Sequence, residues 1–263
     1  MWTLEGTSNA GGTLEFRDVG YAPRGRVVLD HLEFHVDPGE TLVLLGRSGS
    51  GKTTALRLIN RMLEPTSGEI CIGGHNIGPL DPILLRRRIG YVIQDFGLLP
   101  HWTVEQNVAL VPQLLDWPLA KRRERAHELL DQVGLPVHEM STRYPHQLSG
   151  GQRQRVGVAR ALAAEPLLLL FDEPFGALDP ITRHEMQRMF IDLRGRFGGA
   201  SVFVTHDLAE ALVIGTRIAV LDQGKLEGMF TPETFVRAET PLAKAFLDTL
   251  PPGIANPFRT AKD

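Results

Sequence analysis

Apolar and polar positions along the chain follow two different periods. From Thr13 to Val19 they alternate, with Leu14, Phe16 and Val19 apolar, which predicts a strand. Val27 to Val36 reads as a second strand, and Pro38-Gly39 marks a turn. Thr41 to Leu45 is an unbroken apolar run of strand length, the pattern of a strand buried on both faces. A glycine-rich loop follows, then a helix with Leu56, Ile59 and Leu63 on one face, stopped at Pro65 and Ser67-Gly68. Between residues 93 and 155 the period is helical: Val104 to Leu115 and Leu119 to Val133 each predict a helix, the second charged along one side. Strand and helix then alternate through Leu167 to Phe171, Arg183 to Arg194, Ser201 to Thr205, Ala209 to Ile214 and Arg217 to Leu221. Such alternation implies a largely parallel sheet with helices on its faces.

These elements predict four regions. Residues 1–12 form a flexible arm, 13–92 and 156–240 an α/β core, 93–155 an inserted helical subdomain, and 241–263 a C-terminal helix and Pro-rich tail. Composition narrows the class. Apolar residues make up 43% and charged residues 22%, which is globular, and a net charge of −3 supplies no broad basic surface for nucleic acid. Cys71 is the single cysteine, so no intramolecular disulfide can form. No apolar run approaches the ~20 residues of a spanning helix, and Met1 to Gly12 lacks a signal-peptide core. A soluble chain is expected, reaching a membrane only through a partner.

Three segments carry chemistry. Gly46-Arg47-Ser48-Gly49-Ser50-Gly51-Lys52-Thr53, followed by Thr54, fits a P-loop between a strand and a helix. Its glycines allow backbone N–H groups to turn around phosphate oxygens, and the helix N-terminus favours negative charge. Lys52 is expected to reach the β- and γ-phosphates of ATP, and Thr53 to bind Mg²⁺. Leu167 to Phe171 delivers Asp172 and Glu173 at a strand's C-terminal end, where open α/β sheets bind ligands. Asp172 is assigned to Mg²⁺ through water, and Glu173 to polarising the attacking water. Leu148-Ser149-Gly150-Gly151-Gln152 precedes a helix that Ser149 would cap. Capping explains Ser149 but not two glycines, which cost helix stability. Glycines there would let a phosphate approach the backbone. One chain would then own two phosphate-binding helix ends, which is economical if the second serves a neighbour's nucleotide.

Taken in order, the P-loop, Leu148 to Gln152, Asp172-Glu173 and Thr205-His206-Asp207 resemble the ABC transporter ATPase family over roughly residues 13–235. The resemblance implies an α/β P-loop NTPase fold of the ABC ATPase type, with an N-terminal antiparallel β portion and an inserted helical subdomain. It implies hydrolysis of ATP with Mg²⁺ by a head-to-tail dimer of two copies, peripheral on the cytoplasmic face of the membrane beneath transmembrane permease subunits. An extracytoplasmic solute-binding protein would be an indirect partner, and nucleic acid none. By resemblance, Tyr21 stacks on adenine, and Gln94 touches Mg²⁺ and water and senses the permease. Asp179 lies in a dimer-contacting loop, Ser149, Gly150, Gly151 and Gln152 meet the partner's nucleotide, and His206 sits near the γ-phosphate.

Ile89-Gly90-Tyr91-Val92-Ile93-Gln94, Gly97 to His101, Thr103 to Val108, Trp117 and Phe175 to Arg183 are similar to ATPase subunits of glycine betaine, choline or carnitine importers. The alternatives are an importer of another small solute, such as an amino acid, or a non-transport ABC ATPase. Asp95 departs from the family pattern, which has an amide after Gln94. Members often carry C-terminal regulatory domains, for which 263 residues leave no room, so direct ionic-strength sensing by this subunit is not expected. Three patterns are set aside. Asp95-Phe96-Gly97 lacks other kinase elements, Arg86 to Arg88 reads as a solvated helix end, and His31 and His35 fall in a strand rather than on one helical face.

Overall fold

Two sheets organise the chain in this computed structural model, which describes residues 12–94 and 97–250. The expected arm (except Gly12), Asp95, Phe96 and the tail beyond residue 250 lie outside the described residues. The first sheet is antiparallel and runs β2 (Leu29–Val36), β1 (Leu14–Tyr21), β4 (Ser67–Ile72) and β5 (His75–Asn76). The second is ordered β10 (Lys225–Phe230), β9 (Arg217–Asp222), β3 (Thr41–Leu45), β8 (Ala200–Thr205), β7 (Leu168–Asp172), β6 (Ile89–Val92). Its strands pair in parallel except for β10, which is antiparallel to β9.

Alternation along the central strands builds two apolar layers. Leu42 and Leu44 of β3, Leu168 and Leu170 of β7, and Val202 and Val204 of β8 face the antiparallel sheet and helix α1 (Lys52–Ile59). Val43, Leu45, Leu169, Phe171 and Phe203 face the opposite layer, with α7 (Gly150–Leu162), α8 (Pro180–Phe197) and α9 (Leu208–Ile214). Successive side chains of a strand point to opposite faces, so a continuous apolar run serves both layers at once. Between β6 and α7 lie α3 (Val104–Val108), α4 (Leu110–Leu114), α5 (Leu119–Gln132) and α6 (Val137–Met140). Short α2 (Pro82–Arg86) precedes β6, and α10 (Pro232–Phe235) and α11 (Pro241–Leu247) follow β10.

Two expected helices change shape. Val104 to Leu115 is divided at Ala109 into α3 and α4. Pro112 has no N–H for the Val108 carbonyl one turn earlier, and its ring crowds that carbonyl. The helix anticipated from Arg183 begins at Pro180, because Asp179 caps it by accepting from the Ile181 and Thr182 N–H groups, each at 3.1 Å. Leu63 lies beyond α1. The chain leaves the helix at Asn60, Arg61 takes a positive φ of 53°, and Leu63 packs on the core from the turn.

Candidate nucleotide site at the strand ends

Parallel register brings the expected residues to one edge. Leu45 pairs with Thr205, Asp172 with Val204, and Val92 with Phe171. The strands therefore release the Gly46 loop, His206, Glu173 and Gln94 from the same side of the sheet, next to one another in the order β3, β8, β7, β6.

The loop from Gly46 to Gly51 needs its glycines for different reasons. A methyl on Gly46 would lie 2.3 Å from the Leu221 carbonyl oxygen and 2.6 Å from Ser50 Oγ. Gly51 occupies the N-cap of α1 with φ 103°, a conformation glycine adopts readily, and it brings no side chain to cap the helix. The first N–H groups of α1 are thus left for an anion. Lys52 is buried, and its Nζ donates to the carbonyls of Gly46 at 2.7 Å and Arg47 at 2.9 Å, bracing the loop while retaining a third donor. Burial lowers its pKa, while Glu173 and Asp172 work in the opposite direction.

Thr53 Oγ1 donates to Asp172 Oδ1 at 3.0 Å. A hydroxyl and a carboxylate meeting from α1 and β7 are hard oxygen donors of the kind that suits Mg²⁺. Asp172 also accepts from the Tyr91 hydroxyl at 3.2 Å. Burial pushes the Asp172 carboxyl above the ordinary carboxylate range, opposed by the Thr53 and Tyr91 hydrogen bonds. Burial, then the Asp172 charge, pushes the Tyr91 phenol well up.

Glu173 is held at φ 45°, a left-handed conformation costly for a residue with a side chain. Its N–H donates to the Val204 carbonyl at 3.1 Å, and Phe175, two residues on, is buried with its ring 5.3 Å from that of Phe203. Both anchors hold the turn. His206 Nδ1 lies 3.2 Å from Glu173 Oε2, so the two groups assigned to the water and the γ-phosphate face one another. A buried network fixes the His206 loop. Thr205 Oγ1 donates to Glu210 at 2.7 Å and accepts from the Asp207 N–H at 3.0 Å. Arg183 ion-pairs with Glu210 at 3.6 Å and donates to the Leu178 carbonyl at 3.3 Å, tying this loop to the segment before Asp179.

Tyr21 ends β1 and packs half-buried on the core beneath the antiparallel sheet. Gln94, exposed, follows β6. Ser149 caps α7 as expected: its Oγ accepts from the Gln152 N–H at 3.2 Å, and its own N–H donates to Gln152 Oε1 at 2.9 Å. The two glycines differ in their surroundings. A methyl on Gly151 would meet Thr182 Cγ2 at 2.4 Å, so α7–α8 packing also requires a glycine at that position. A methyl on Gly150 would find Leu178 Cδ2 at an ordinary 3.8 Å, so Gly150 is the open one.

Sequence reasoning gave no separate role to Tyr91, Thr205, Glu210 or Asn107. Asn107 is fully buried. Its Oδ1 accepts from the Leu99 N–H at 2.8 Å, and its Nδ2 donates to the carbonyls of Leu99, Trp102 and Thr103 at 3.0–3.1 Å. A buried amide on an otherwise apolar helical face is the signal that could have singled it out.

The chain is similar to known proteins over most of its length. The ABC transporter family pattern matches residues 29–176. A glycine betaine/carnitine/choline transport ATP-binding protein of Bacillus subtilis is 51% identical over 213 residues, 81% of this chain and 56% of that protein. A glycine betaine uptake system ATP-binding protein of Escherichia coli is 46% identical over 85% of this chain and 72% of its own length. The chain spans about half the length of the first-ranked curated relatives, between 53% and 56%. A dimeric ATP-binding cassette in a post-hydrolysis state with ADP and Pi superposes with a TM-score of 0.73 at 34% identity, covering 83% of this chain and 98% of that one. With the P-loop, the acidic pair and the Ser149 helix end set on this fold, the chain belongs to the ABC transporter family.

Proposed function

We propose that this chain binds ATP with Mg²⁺ and hydrolyses its γ-phosphate in sites shared between two copies, energising an importer of a quaternary-amine osmoprotectant. The observation that carries the catalytic reading is the convergence of Lys52, the Thr53–Asp172 pair and the Glu173–His206 pair at one sheet edge. In this reading Lys52 and the α1 N-terminus bind phosphate, and Thr53 and Asp172 hold the ion. Glu173 orients water, and His206 steadies the γ-phosphate. Mg²⁺, when bound, neutralises charge on the β- and γ-phosphate oxygens. Tyr21 serves adenine, and Gln94 contacts ion and water. Catalysis comes from positioning and preorganised charge.

Sharing between copies is supported by a second helix start built for close approach and by a dimeric relative. The Ser149–Gln152 helix end packs on α8, where Gly151 lies against Thr182 and Thr182 bonds Asp179, and it is a second glycine-rich helix start besides that of α1. The solved cassette relative is dimeric. Glu173→Gln tests the catalytic reading. It should keep ATP binding, lose turnover and run as an ATP-dependent dimer in size exclusion. A variant that still turns ATP over at the wild-type rate would remove Glu173 from the role.

The importer reading rests on relatives that carry glycine betaine, carnitine or choline in their names. No described helix is long and apolar enough to cross a membrane. In this reading the chain works at the cytoplasmic face, docked to transmembrane permease subunits that receive solute from an extracytoplasmic binding protein. Docking through residues 94–108 is supported by half-buried Leu98, Leu99 and Trp102, held from beneath by Asn107. Leu99→Ala with Trp102→Ala should spare ATPase activity of the isolated subunit and abolish solute uptake by the assembled transporter. Unchanged uptake would move the docking surface elsewhere.

A further inference from the structure

Asp172 is the carboxylate on which the ion site depends, and its two oxygens are held from two directions. Thr53 reaches Oδ1 from α1, and Tyr91 reaches Oδ2 from the neighbouring strand. The second contact follows from register. Tyr91 pairs with Leu170, and Asp172 stands two residues further along β7, on the same face. A diagonal neighbour at that offset is within reach of a long aromatic side chain. The register is itself pinned by Gly90, where a methyl would lie 2.5 Å from the Ala161 carbonyl oxygen of α7. β6 therefore lies hard against α7, and Tyr91 has little freedom to slide. Its ring packs on the apolar layer under the antiparallel sheet, which orients the hydroxyl without help from solvent.

We propose that Tyr91 is a positioning residue for the ion site: its hydroxyl fixes the plane of the Asp172 carboxylate so that Oδ1 stays turned to Thr53. This rests on the Mg²⁺–ATP reading above. A carboxylate on one strand end can rotate about its Cβ–Cγ bond. A donor on Oδ2 and a donor on Oδ1 together leave one plane. Without Tyr91 the carboxylate keeps its charge and its Thr53 contact but loses that restraint. The expected defect is therefore in metal-dependent nucleotide binding rather than in the phosphate loop, because Lys52 braces that loop through the Gly46 and Arg47 carbonyls and not through Tyr91 or Asp172.

The test is Tyr91→Phe, which keeps the ring and removes the hydroxyl. A fluorescent ATP analogue is titrated into wild type and variant, in EDTA and in MgCl₂, and the Mg²⁺ concentration at half-maximal enhancement is recorded. Affinity in EDTA should stay within about twofold, while the Mg²⁺ requirement rises about tenfold, the scale of one hydrogen bond to a charged group. An unchanged Mg²⁺ requirement in a variant that melts like wild type overturns the assignment. If wild type itself shows no Mg²⁺ effect, the Mg²⁺–ATP reading fails, and the Tyr91 assignment with it. Should Tyr91→Phe not fold, wild type labelled with 3-fluorotyrosine is compared with Tyr21→Phe and Tyr144→Phe to assign the Tyr91 resonance. That resonance should move on adding MgADP but not ADP in EDTA, and a resonance indifferent to Mg²⁺ overturns the proposal.

Discussion

Replacing Gly151 by alanine sets two effects against each other at the start of α7. Alanine gains up to about 1 kcal/mol over glycine inside a helix. Against this, the new methyl would sit 2.4 Å from Thr182 Cγ2, where carbon atoms ordinarily rest about 3.5–4.0 Å apart. The gap must open by more than an ångström. Rotating Thr182 about χ1 would clear the methyl but break its 2.6 Å hydrogen bond to Asp179 Oδ2, part of the α8 cap. The remaining route is to push α7 from α8, an overpacking that costs about 1–3 kcal/mol. The net expectation is destabilisation by about 1–2 kcal/mol, or roughly 2–8 °C in thermal midpoint for a chain of this size. Thr182→Ser removes Cγ2 and keeps the hydroxyl on Asp179. In that background Gly151→Ala should become neutral or stabilising. Thermal melts of the four proteins in the cycle give the coupling directly. If Gly151→Ala is harmless with Thr182 present, the packing explanation of that glycine is wrong.

Lys52→Ala should weaken ATP binding more than tenfold, since it removes a charge-assisted phosphate contact and the brace on the Gly46 and Arg47 carbonyls; an affinity within about twofold by titration would contradict the assignment. Asp172 has a raised pKa, so the folded state holds its proton more tightly than the unfolded chain, and stability falls as pH rises from the ordinary carboxylate range through the raised value. Nucleotide-free Asp172→Asn should therefore melt above wild type at neutral pH, with the difference shrinking toward acid; a pH-independent difference would refute the burial argument. Asn107→Ala should lose about 1–3 kcal/mol for the half-buried Leu99 N–H left without its acceptor, and protection of residues 97–103 in hydrogen exchange should drop; retained protection would mean the loop is held by other contacts.

What was legible in the sequence is what is local in the chain. Gly46 to Thr53 are consecutive, so their spacing alone states a loop between strand and helix, and Ser149 with Gln152 is a capping box four residues long. The contacts that finish the site are not local. Thr53 and Asp172 are 119 residues apart, Tyr91 and Asp172 are 81, and both meet because β3, β8, β7 and β6 are neighbours in an order the chain does not follow. Strand β4 was hidden by its opening Ser67-Gly68, which reads as a helix stop. In the fold Gly68, at φ 72°, passes so close to β1 that a methyl would lie 2.2 Å from the Asp18 carbonyl oxygen. Gly228 hid β10 in the same way, at a register shift against β9 that breaks the alternation. In each case a glycine serving close backbone approach or a bulge looks, in sequence, like punctuation.

Two copies completing each other's sites is the claim on which the mechanism turns, and the dependence of ATPase rate on chain concentration tests it most directly. With saturating Mg²⁺ and ATP, the rate per chain should climb as concentration rises and level off once pairs predominate, because a lone chain has the phosphate loop and Glu173 but lacks the Ser149–Gln152 end of a partner. A rate per chain that is constant from the most dilute sample upward would contradict it.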